Sequence, residues 1–544
     1  MESNYDENTL RQLEQELDTK IYPGTEIMTE VGSHHFVKTS RSVLVPQPSS
    51  DPHDPLNWNP FWKTSCMTVA TAVSFAQAVG PLAVAPMFPQ LMKEFDTDLA
   101  GVVQFTAVCI LVLGVPLQTT FGRRHVLIFS TLICLVSNIW RAVATSYGSF
   151  MGACVLNGFG AGPAETAQPQ IIADVMFLHE RGAYNTLYFT FYFGSLMVGP
   201  IIAGPMADHL HWRHFWWLNV ALLGVVLILL LFLFPETRWP RPPLVDVVRP
   251  QSSENAVKSA SGSNCTPEEA ATEKQLEDGD LSPDSSAAQD PYLGKGTPSK
   301  SQFGLFQKHD QPLKTLLIDF WVPWKLHAYP IIEFAAFVVS WSASMFLTVN
   351  LTQSQNFAAP PYNFSSQTIG FTNFAILIGT LIGLLTNGPI SDWVSMRATK
   401  KNRGIREPEM RLPAMIPYVI LMVIGNFIVA FGYEYKWDWK IIVIIGYTLT
   451  GIQVAALPAI ASTYAVDSYK PVAGSIFVTI TVNKNLWGYG VGKFITPWTM
   501  QKGFIPAFMV NMALTLLWCG FGIPFYIWGK KLRKLSAKSD VHRM

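Results

Sequence analysis

Five ionisable side chains interrupt long apolar runs, and they are the first candidates for chemistry: Arg141, Glu165, Glu333, Lys484 and Lys493. A charge surrounded by hydrocarbon is costly, so it is kept where it binds something, relays a proton or finds a partner. Glu165 lies deep in its run, just after Gly162-Pro163. Desolvation favours the protonated form of a carboxyl, so such a group can take or release a proton at cellular pH, and ionised it can pair with a cation. One group doing both would exchange proton for substrate by competition. The other reading of Glu165 is a structural carboxyl, hydrogen-bonded beside the Gly-Pro step. Lys484 stands between Asn483 and Asn485 and reads either as a counter-ion or as an ammonium satisfied by its flanking amides. Glu333 is one to two turns inside its run. Arg141 and Lys493 lie near run ends, where long side chains snorkel to the interface, so they read as anchors.

Other patterns lead nowhere chemically. Gly158-Phe-Gly160-Ala-Gly162 follows no strand and lies inside an apolar run, so it fails as a dinucleotide loop. His209, His211 and His214 cluster beside Trp212 without other ligand types, and no metal site is expected. Cys66, Cys109, Cys134, Cys154 and Cys519 sit in apolar runs and Cys265 is alone in a polar stretch; none has metal-ligand spacing and no disulfide framework emerges. There is no Gly-rich Lys-Ser/Thr loop for a nucleotide, no cofactor motif and no acid–base constellation of an enzyme.

The elements that must position these residues follow from the charge distribution. Only 14% of the 544 residues are charged, and the net charge is +1. Segments 1–63, 239–326, 392–411 and 530–544 hold 52 of the 77 charges. The remaining chain is too sparse in charge to face water, so it is solvated by lipid. This excludes a soluble enzyme, and without a basic excess a nucleic-acid binder is not expected. Membrane-crossing helices need roughly 20 apolar residues, and twelve runs qualify: 64–86, 100–121, 124–146, 149–173, 184–207, 214–235, 328–350, 367–390, 412–433, 440–463, 472–495 and 504–528. The polar first 63 residues and the late, long first run argue against a cleavable leader.

With the N-terminus in the cytoplasm, the inner loops and tail carry fourteen Lys and Arg against five outside, as the positive-inside rule requires. Both termini are then cytoplasmic. The organisation expected is a tail at 1–63, a six-helix bundle at 64–236, a linker at 237–327, a second six-helix bundle at 328–529 and a basic tail at 530–544. The composition of about 250–302, rich in Ser, Glu, Asp, Pro and Ala, predicts disorder. Asn350-Leu-Thr and Asn363-Phe-Ser are glycosylation sequons on the outer side in this topology.

The halves echo one another. Val115-Pro-Leu-Gln-Thr119-Thr-Phe-Gly122-Arg123-Arg124 follows the second run and Gly388-Pro-Ile-Ser-Asp392-Trp, with a basic cluster beyond it, follows the eighth. Two halves in one orientation suit a rocking transporter. Here the chain, over about residues 50–530, resembles the major facilitator superfamily, whose signature is G-x-x-x-D-x-x-G-R-[RK]. The first copy keeps Gly122, Arg123 and Arg124 but has Val115 and Thr119 at the glycine and acidic positions; the second keeps Gly388 and Asp392. Gly194-Ser-Leu-Met-Val-Gly199-Pro200-Ile-Ile-Ala-Gly204 is similar to the antiporter motif G-x-x-x-G-P-x-x-G-G, with its first glycine one residue early. Asp51-Pro-His-Asp-Pro-Leu-Asn-Trp58, Asn157 to Glu165, His179-Glu-Arg-Gly182 and Pro235-Glu-Thr-Arg238 resemble the fungal twelve-span drug:proton antiporter-like group. The arginine usual in that group's fourth span falls on Cys154.

The resemblance implies an all-α membrane protein of the major facilitator fold, twelve helices in two bundles, working by alternating access without an enzyme's chemistry. It implies proton-coupled export of a small organic molecule, such as a toxin, drug or secondary metabolite; the alternative is proton-coupled uptake of small organic solutes or cations such as polyamines. The partners are that substrate, protons and the lipid bilayer; no nucleic acid is expected, and the chain is expected as a monomer in the plasma membrane. Glu165, Gln168, Gln77, Tyr192, Glu333, Trp341, Gln453 and Lys484 become substrate or proton candidates. Gly122, Arg123, Arg124, Gly388 and Asp392 become cytoplasmic gate loops that close in the outward-facing state. Gly194, Gly199, Pro200 and Gly204 become a directional helix kink.

Overall fold

The structure is a computed structural model that describes residues 25–27, 49, 51–112, 122–239, 294–304, 321–402, 405–469, 472–536 and 539. Val115 and Thr119 of the first signature copy, Cys265, most of the linker and the side chains of His179 to Gly182 lie outside the described residues.

The fold is all-α. The first half comprises α1 (Pro60–Leu82), α2 (Phe88–Glu94), α3 (Leu99–Val112), α4 (Arg123–Val143), α5 (Tyr147–Ala161), α6 (Pro163–Val175), α7 (Leu178–His209) and α8 (Trp212–Leu233). The second comprises α9 (Pro330–Phe357), α10 (Ser366–Lys401), α11 (Met415–Glu434), α12 (Thr448–Ser468) after a π-helical turn Ile441–Tyr447, α13 (Ala473–Lys502), α14 (Phe504–Gly520) and α15 (Gly522–Ser536). Among the described residues nine helical segments are long and apolar enough to cross a membrane. The lipid-solvated reading shows in the outward faces: Phe232, Leu385 and Ile523 are among many large apolar side chains left exposed.

The buried apolar residues fall into three groups, and their arrangement sets the shape of the molecule. One core is continuous across both halves at one end, joining Phe88, Phe150 and Trp216 to Phe357, Tyr433 and Phe508. Toward the end that carries Arg123 and Arg411, the core divides. Val73, Ile171 and Leu230 belong to one half's core, and Phe334, Leu457 and Ile476 to the other's. The apolar core is thus continuous across both bundles at the end away from the basic clusters and splits toward the basic end, where Gln170 of α6 still lies against Gly474 of α13.

Small residues make the fused end possible. Gly204 of α7 lies directly against the Ser366 carbonyl of α10, and a Cβ on Gly370 would stand 2.6 Å from the Pro200 carbonyl. Polar groups then cross the seam: Gln90 Nε2 donates to Ser366 Oγ (2.8 Å) and the Gln367 amide to Asp208 Oδ2 (2.7 Å). Gln104 Nε2 donates to the Gly492 carbonyl (3.2 Å) between α3 and α13.

The basic end is braced within each bundle, and the two halves use opposite signs. In the first, Glu236 follows α8 and is fully buried. It accepts the backbone amides of Arg123 (2.9 Å) and Arg124 (3.1 Å). Arg124 reaches back to cap α8, donating to the carbonyls of Leu230 (3.0 Å), Leu231 (2.8 Å) and Phe234, where a cation also meets the helix dipole. Gly122 is required here: its φ is +92°, and a Cβ would stand 2.6 Å from Glu236 Oε2. In the second half the cation lies on the last helix. Arg533 of α15 grips Glu409 through Nε and Nη2 (both 2.8 Å) and Glu407 through Nη2 (2.6 Å).

Two segments expected to be tail and linker are built into this end. Residues 294–304, partly inside the stretch whose composition predicts disorder, instead dock on the Asp51–Trp58 motif. The Asn59 amide donates to the Gly296 carbonyl and the Gly296 amide to the Asn57 carbonyl (both 2.9 Å). Gln302 Nε2 donates to the His53 carbonyl (3.1 Å). Composition misled here because backbone hydrogen bonds, rather than an apolar core, hold the segment. From the N-terminal tail, strand β1 (Glu26–Ile27) pairs antiparallel with β2 (Ile405–Arg406). Thr25 Oγ1 donates to Glu407 Oε2 (2.8 Å) beneath the second bundle. The basic tail also departs from expectation, since α15 runs through it to Ser536 and buries Arg533 completely.

Burial alone would push the Glu236 carboxyl up, but His125 and the amides of Arg238, Arg123 and Arg124 outweigh it and hold it below the usual glutamate value of 4.5. A depressed carboxyl stabilises the fold above its unfolded pKa, and that stabilisation is lost as pH falls through the folded pKa. Glu236→Gln should therefore lower melting in detergent by about 2 kcal/mol at neutral pH. The gap from wild type should shrink below pH 4.5. A gap independent of pH would mean that the Glu236 charge does not brace this end.

Candidate functional site

The site lies at the apex, where the continuous core gives way to the divided one. A cavity of about 90 Å³ is lined by Gln77, Pro81 and Leu82 of α1, Ile110 of α3, Glu165 of α6, Tyr192 and Leu196 of α7, Ser344 and Leu347 of α9, Val454 of α12 and Lys484, Asn485 and Gly488 of α13. Both bundles contribute to it, and its walls are mostly apolar.

Local sequence explains how Glu165 comes to be there. Gly162-Pro163 interrupts the fourth apolar run, so that α5 ends at Ala161 and α6 starts at Pro163. Proline is tolerated at the first helical position because that amide needs no partner. Glu165 then falls in the first turn of α6, where the helix dipole favours an anion. Its side chain is 6% exposed. Lys484 Nζ, from the opposite bundle, donates to Glu165 Oε1 at 2.8 Å, and the Tyr192 hydroxyl donates to the same oxygen. Tyr188 donates to the Glu165 carbonyl (3.1 Å). Glu165 Oε2 is buried without a partner among the described residues.

Gln77 completes the polar wall. Its Nε2 is committed to Ser130 and Thr131 of α4 (both 3.0 Å), which leaves Oε1 buried and unpartnered among the described residues. The cavity thus offers spare acceptor oxygens on Glu165, Gln77 and Ser344 beside the ion pair. That chemistry suits a ligand that brings positive charge or hydrogen-bond donors on an apolar body.

Of the candidates read from the sequence, Gln77, Glu165, Tyr192 and Lys484 line this cavity, and four do not. Gln168 is a clamp between helices, accepting from Ser74 (3.0 Å) and donating to Thr71 (2.5 Å) of α1. Gln453 accepts from Ser342 of α9 (2.9 Å). Trp341 packs against Trp487 with ring centroids 5.0 Å apart. Glu333 is not deep: α9 begins at Pro330, so Glu333 sits in its first turn at the basic end and pairs with His327 Nδ1 (2.8 Å). The two amides and the indole serve helix packing and Glu333 a helix-end ion pair, which spacing alone does not separate from a cavity role. Ser344 gave no signal, being a small residue in an apolar run.

Arg141 corrects the sequence reading in the other direction. It does not snorkel. It is 1% exposed, stacked on Trp216 with its guanidinium 4.7 Å from the ring centroid, and Nη2 donates to Cys109 Sγ (3.7 Å). The far ends of α4 and α8 are covered by the fused core, so a side chain near the run's end is still interior. Lys493, by contrast, is exposed beside Tyr489.

The gate residues bond within their own halves. Arg123 Nε pairs with Asp174 (3.0 Å). Arg411 Nη1 pairs with Asp392 (3.2 Å) and its Nε with Asp467 (3.2 Å). The Asp392 side chain is 69% exposed, and Gly388 has open space around it. No ion pair from these residues crosses between bundles among the described residues. Of the kink glycines, Gly199 abuts the Val79 carbonyl of α1 and Gly204 the Ser366 carbonyl of α10, while Gly194 meets only Leu377 of α10 at 3.9 Å. Asn350 is wholly buried within α9, so that sequon is unreachable in this structure. The helix runs on beyond the expected span end at residue 350. Asn363 is exposed in a loop, with φ +51°.

The ion pair predicts a coupled pair of substitutions. Lys484→Met leaves Glu165 buried without its cation. Melting in detergent should fall by about 2 kcal/mol, less than the ~3–5 of a sealed pair because the Lys484 side chain keeps 21% exposure. Glu165→Gln with Lys484→Met should recover most of that loss. Additive losses would show that the two charges are independent.

Comparison with known proteins agrees with this architecture. A family model described as Major Facilitator Superfamily matches residues 65–483. An uncharacterized MFS-type transporter of Schizosaccharomyces pombe is 26% identical, over 95% of this chain and 93% of its own. A probable efflux pump of Aspergillus flavus is 24% identical, over 82% of this chain and 98% of its own. Among solved structures, the xylose transporter XylE from E. coli, in a partially occluded inward-open conformation, has a similar fold. Its TM-score is 0.53 with 13% identity, covering 85% of this chain and 98% of that one.

Proposed function

The chain belongs to the major facilitator superfamily, and we propose that within it the protein is a proton-coupled exporter of small organic molecules, cations foremost among them. It is a transporter rather than an enzyme and a multi-pass membrane protein. In the proposal twelve spans place both termini in the cytoplasm of a cell whose plasma membrane it serves as a monomer. The basic end then faces inward.

The observation that carries this reading is the ion pair between Glu165 and Lys484 at the apex of the two bundles. A cavity that both halves line is reached alternately from either end when the halves rock. A carboxylate there must be neutralised before hydrocarbon closes over it. A protonated group of the site and a cationic substrate compete to do this, which couples one flux to the other. The apolar walls, including Leu82, Ile110, Leu347 and Val454, suit an amphipathic body.

Export is supported by the Gly199-Pro200 motif. It lets α7 close tightly on α1 and, through Gly204, on α10, so the end away from the cytoplasm can seal while cargo loads from inside. The efflux-pump relative supports the same direction. Uptake on the same cavity is the result that the following experiment would distinguish.

The test is transport by purified protein in liposomes with an acidic lumen. The probe is 1-methyl-4-phenylpyridinium, a fixed cation that acid cannot trap. Exchange against protons predicts accumulation in the lumen, and Glu165→Gln should lower it at least about tenfold without loss of folded protein. Accumulation only with an alkaline lumen would establish movement with protons and overturn export. Undiminished transport by Glu165→Gln would remove that carboxylate from the mechanism.

A further inference from the structure

The cavity at the apex holds one carboxylate and one ammonium, and together they are neutral. Glu165 Oε1 receives Lys484 Nζ at 2.8 Å and the Tyr192 hydroxyl. Glu165 Oε2, Gln77 Oε1 and Ser344 Oγ are spare acceptors among the described residues of the cavity. A cation that docks on them enters a site that already contains one. Glu165 cannot compensate both, and in a largely apolar enclosure the surplus charge is not solvated.

The groups around Lys484 decide how the surplus is removed. From the first bundle the titratable groups facing it are Glu165 and Tyr192. The second bundle brings Ser344, Phe346, Leu347 and Val454 to the cavity, none of them titratable, and the lysine's own helix adds Asn485. Among the described residues no second carboxylate lines the cavity to take over the ammonium. An ammonium, unlike a guanidinium, can shed a proton when its surroundings turn against charge.

We propose that Lys484, rather than Glu165, carries the exchanged proton. When a cation docks on Glu165, one Nζ–H bond of Lys484 breaks. The electron pair stays on nitrogen, and the proton leaves to water on the side of the basic end. The loaded form then holds a carboxylate, a cargo cation and a neutral amine. The empty form holds the carboxylate and the ammonium. Both have zero net charge in the cavity, so both can be enclosed as the bundles rock. One monovalent cation is exchanged for one proton, and the cycle is electroneutral. This assignment rests on the proton-coupled reading of the same site.

Three proteins in liposomes, with 1-methyl-4-phenylpyridinium as probe, separate the possibilities. Each is assayed for accumulation driven by an acidic lumen and for probe-for-probe counterflow at equal pH. The wild type should do both, with accumulation indifferent to an imposed membrane potential. Lys484→Met should lose pH-driven accumulation at least about tenfold while its counterflow falls by a clearly smaller factor, because its loaded form is still neutral while its empty form is not. Lys484→Arg should lose both at least about tenfold, because a guanidinium keeps its charge and opposes the cargo. Retention of pH-driven accumulation by either variant overturns the assignment. So does an equally large loss of counterflow by Lys484→Met protein that still melts cooperatively. A wild type that performs counterflow but ignores the pH gradient overturns the proton-coupled reading itself, and this assignment with it.

Discussion

A carboxylate in the middle of a membrane protein must never be left alone, and the structure is organised around that constraint. Glu165 is 6% exposed on its side chain and is neutralised by a lysine from the other half of the molecule. Because the partners belong to different bundles, the requirement for neutrality is also a requirement on how the bundles sit. The Gly-Pro break that starts α6, the tyrosine on α7 and the polar step Asn483-Lys484-Asn485 on α13 place these groups at the apex, where the joined core gives way to two.

The surrounding architecture can be read as support for that apex. At one end glycine-to-backbone contacts and a few cross-bundle hydrogen bonds close the seam, and apolar packing runs through both halves. At the other end each half is tied to itself. Glu236 gathers the start of α4 in the first half, and Arg533 gathers Glu407 and Glu409 in the second. With charges satisfied locally, the basic ends can part without leaving a buried ion bare.

Much of this was legible in the sequence, for identifiable reasons. Charge scarcity and run length gave the lipid-facing helices, and the cost of intramembrane charge singled out Glu165 and Lys484. Side chains whose role depends on rotation about a helix were not legible. Gln168 and Gln77 differ in outcome only because one has both ends of its amide taken by α1 and the other faces the cavity with an oxygen to spare. Arg141 lies near the end of an apolar run but beneath a core shared by both bundles, a tertiary fact that no local pattern carries. The docking of residues 294–304 was hidden because its partners are backbone groups of a distant motif.

The central claim is that the apex keeps a constant charge, so that each cation admitted expels one proton. The most direct measurement counts those protons. Purified protein in weakly buffered detergent, at a pH well above the carboxylate range, is titrated with 1-methyl-4-phenylpyridinium while a pH indicator reads the medium. The account predicts one proton released for each cation bound, and none from Lys484→Met protein that still binds the probe. Binding by the wild type without proton release would contradict it.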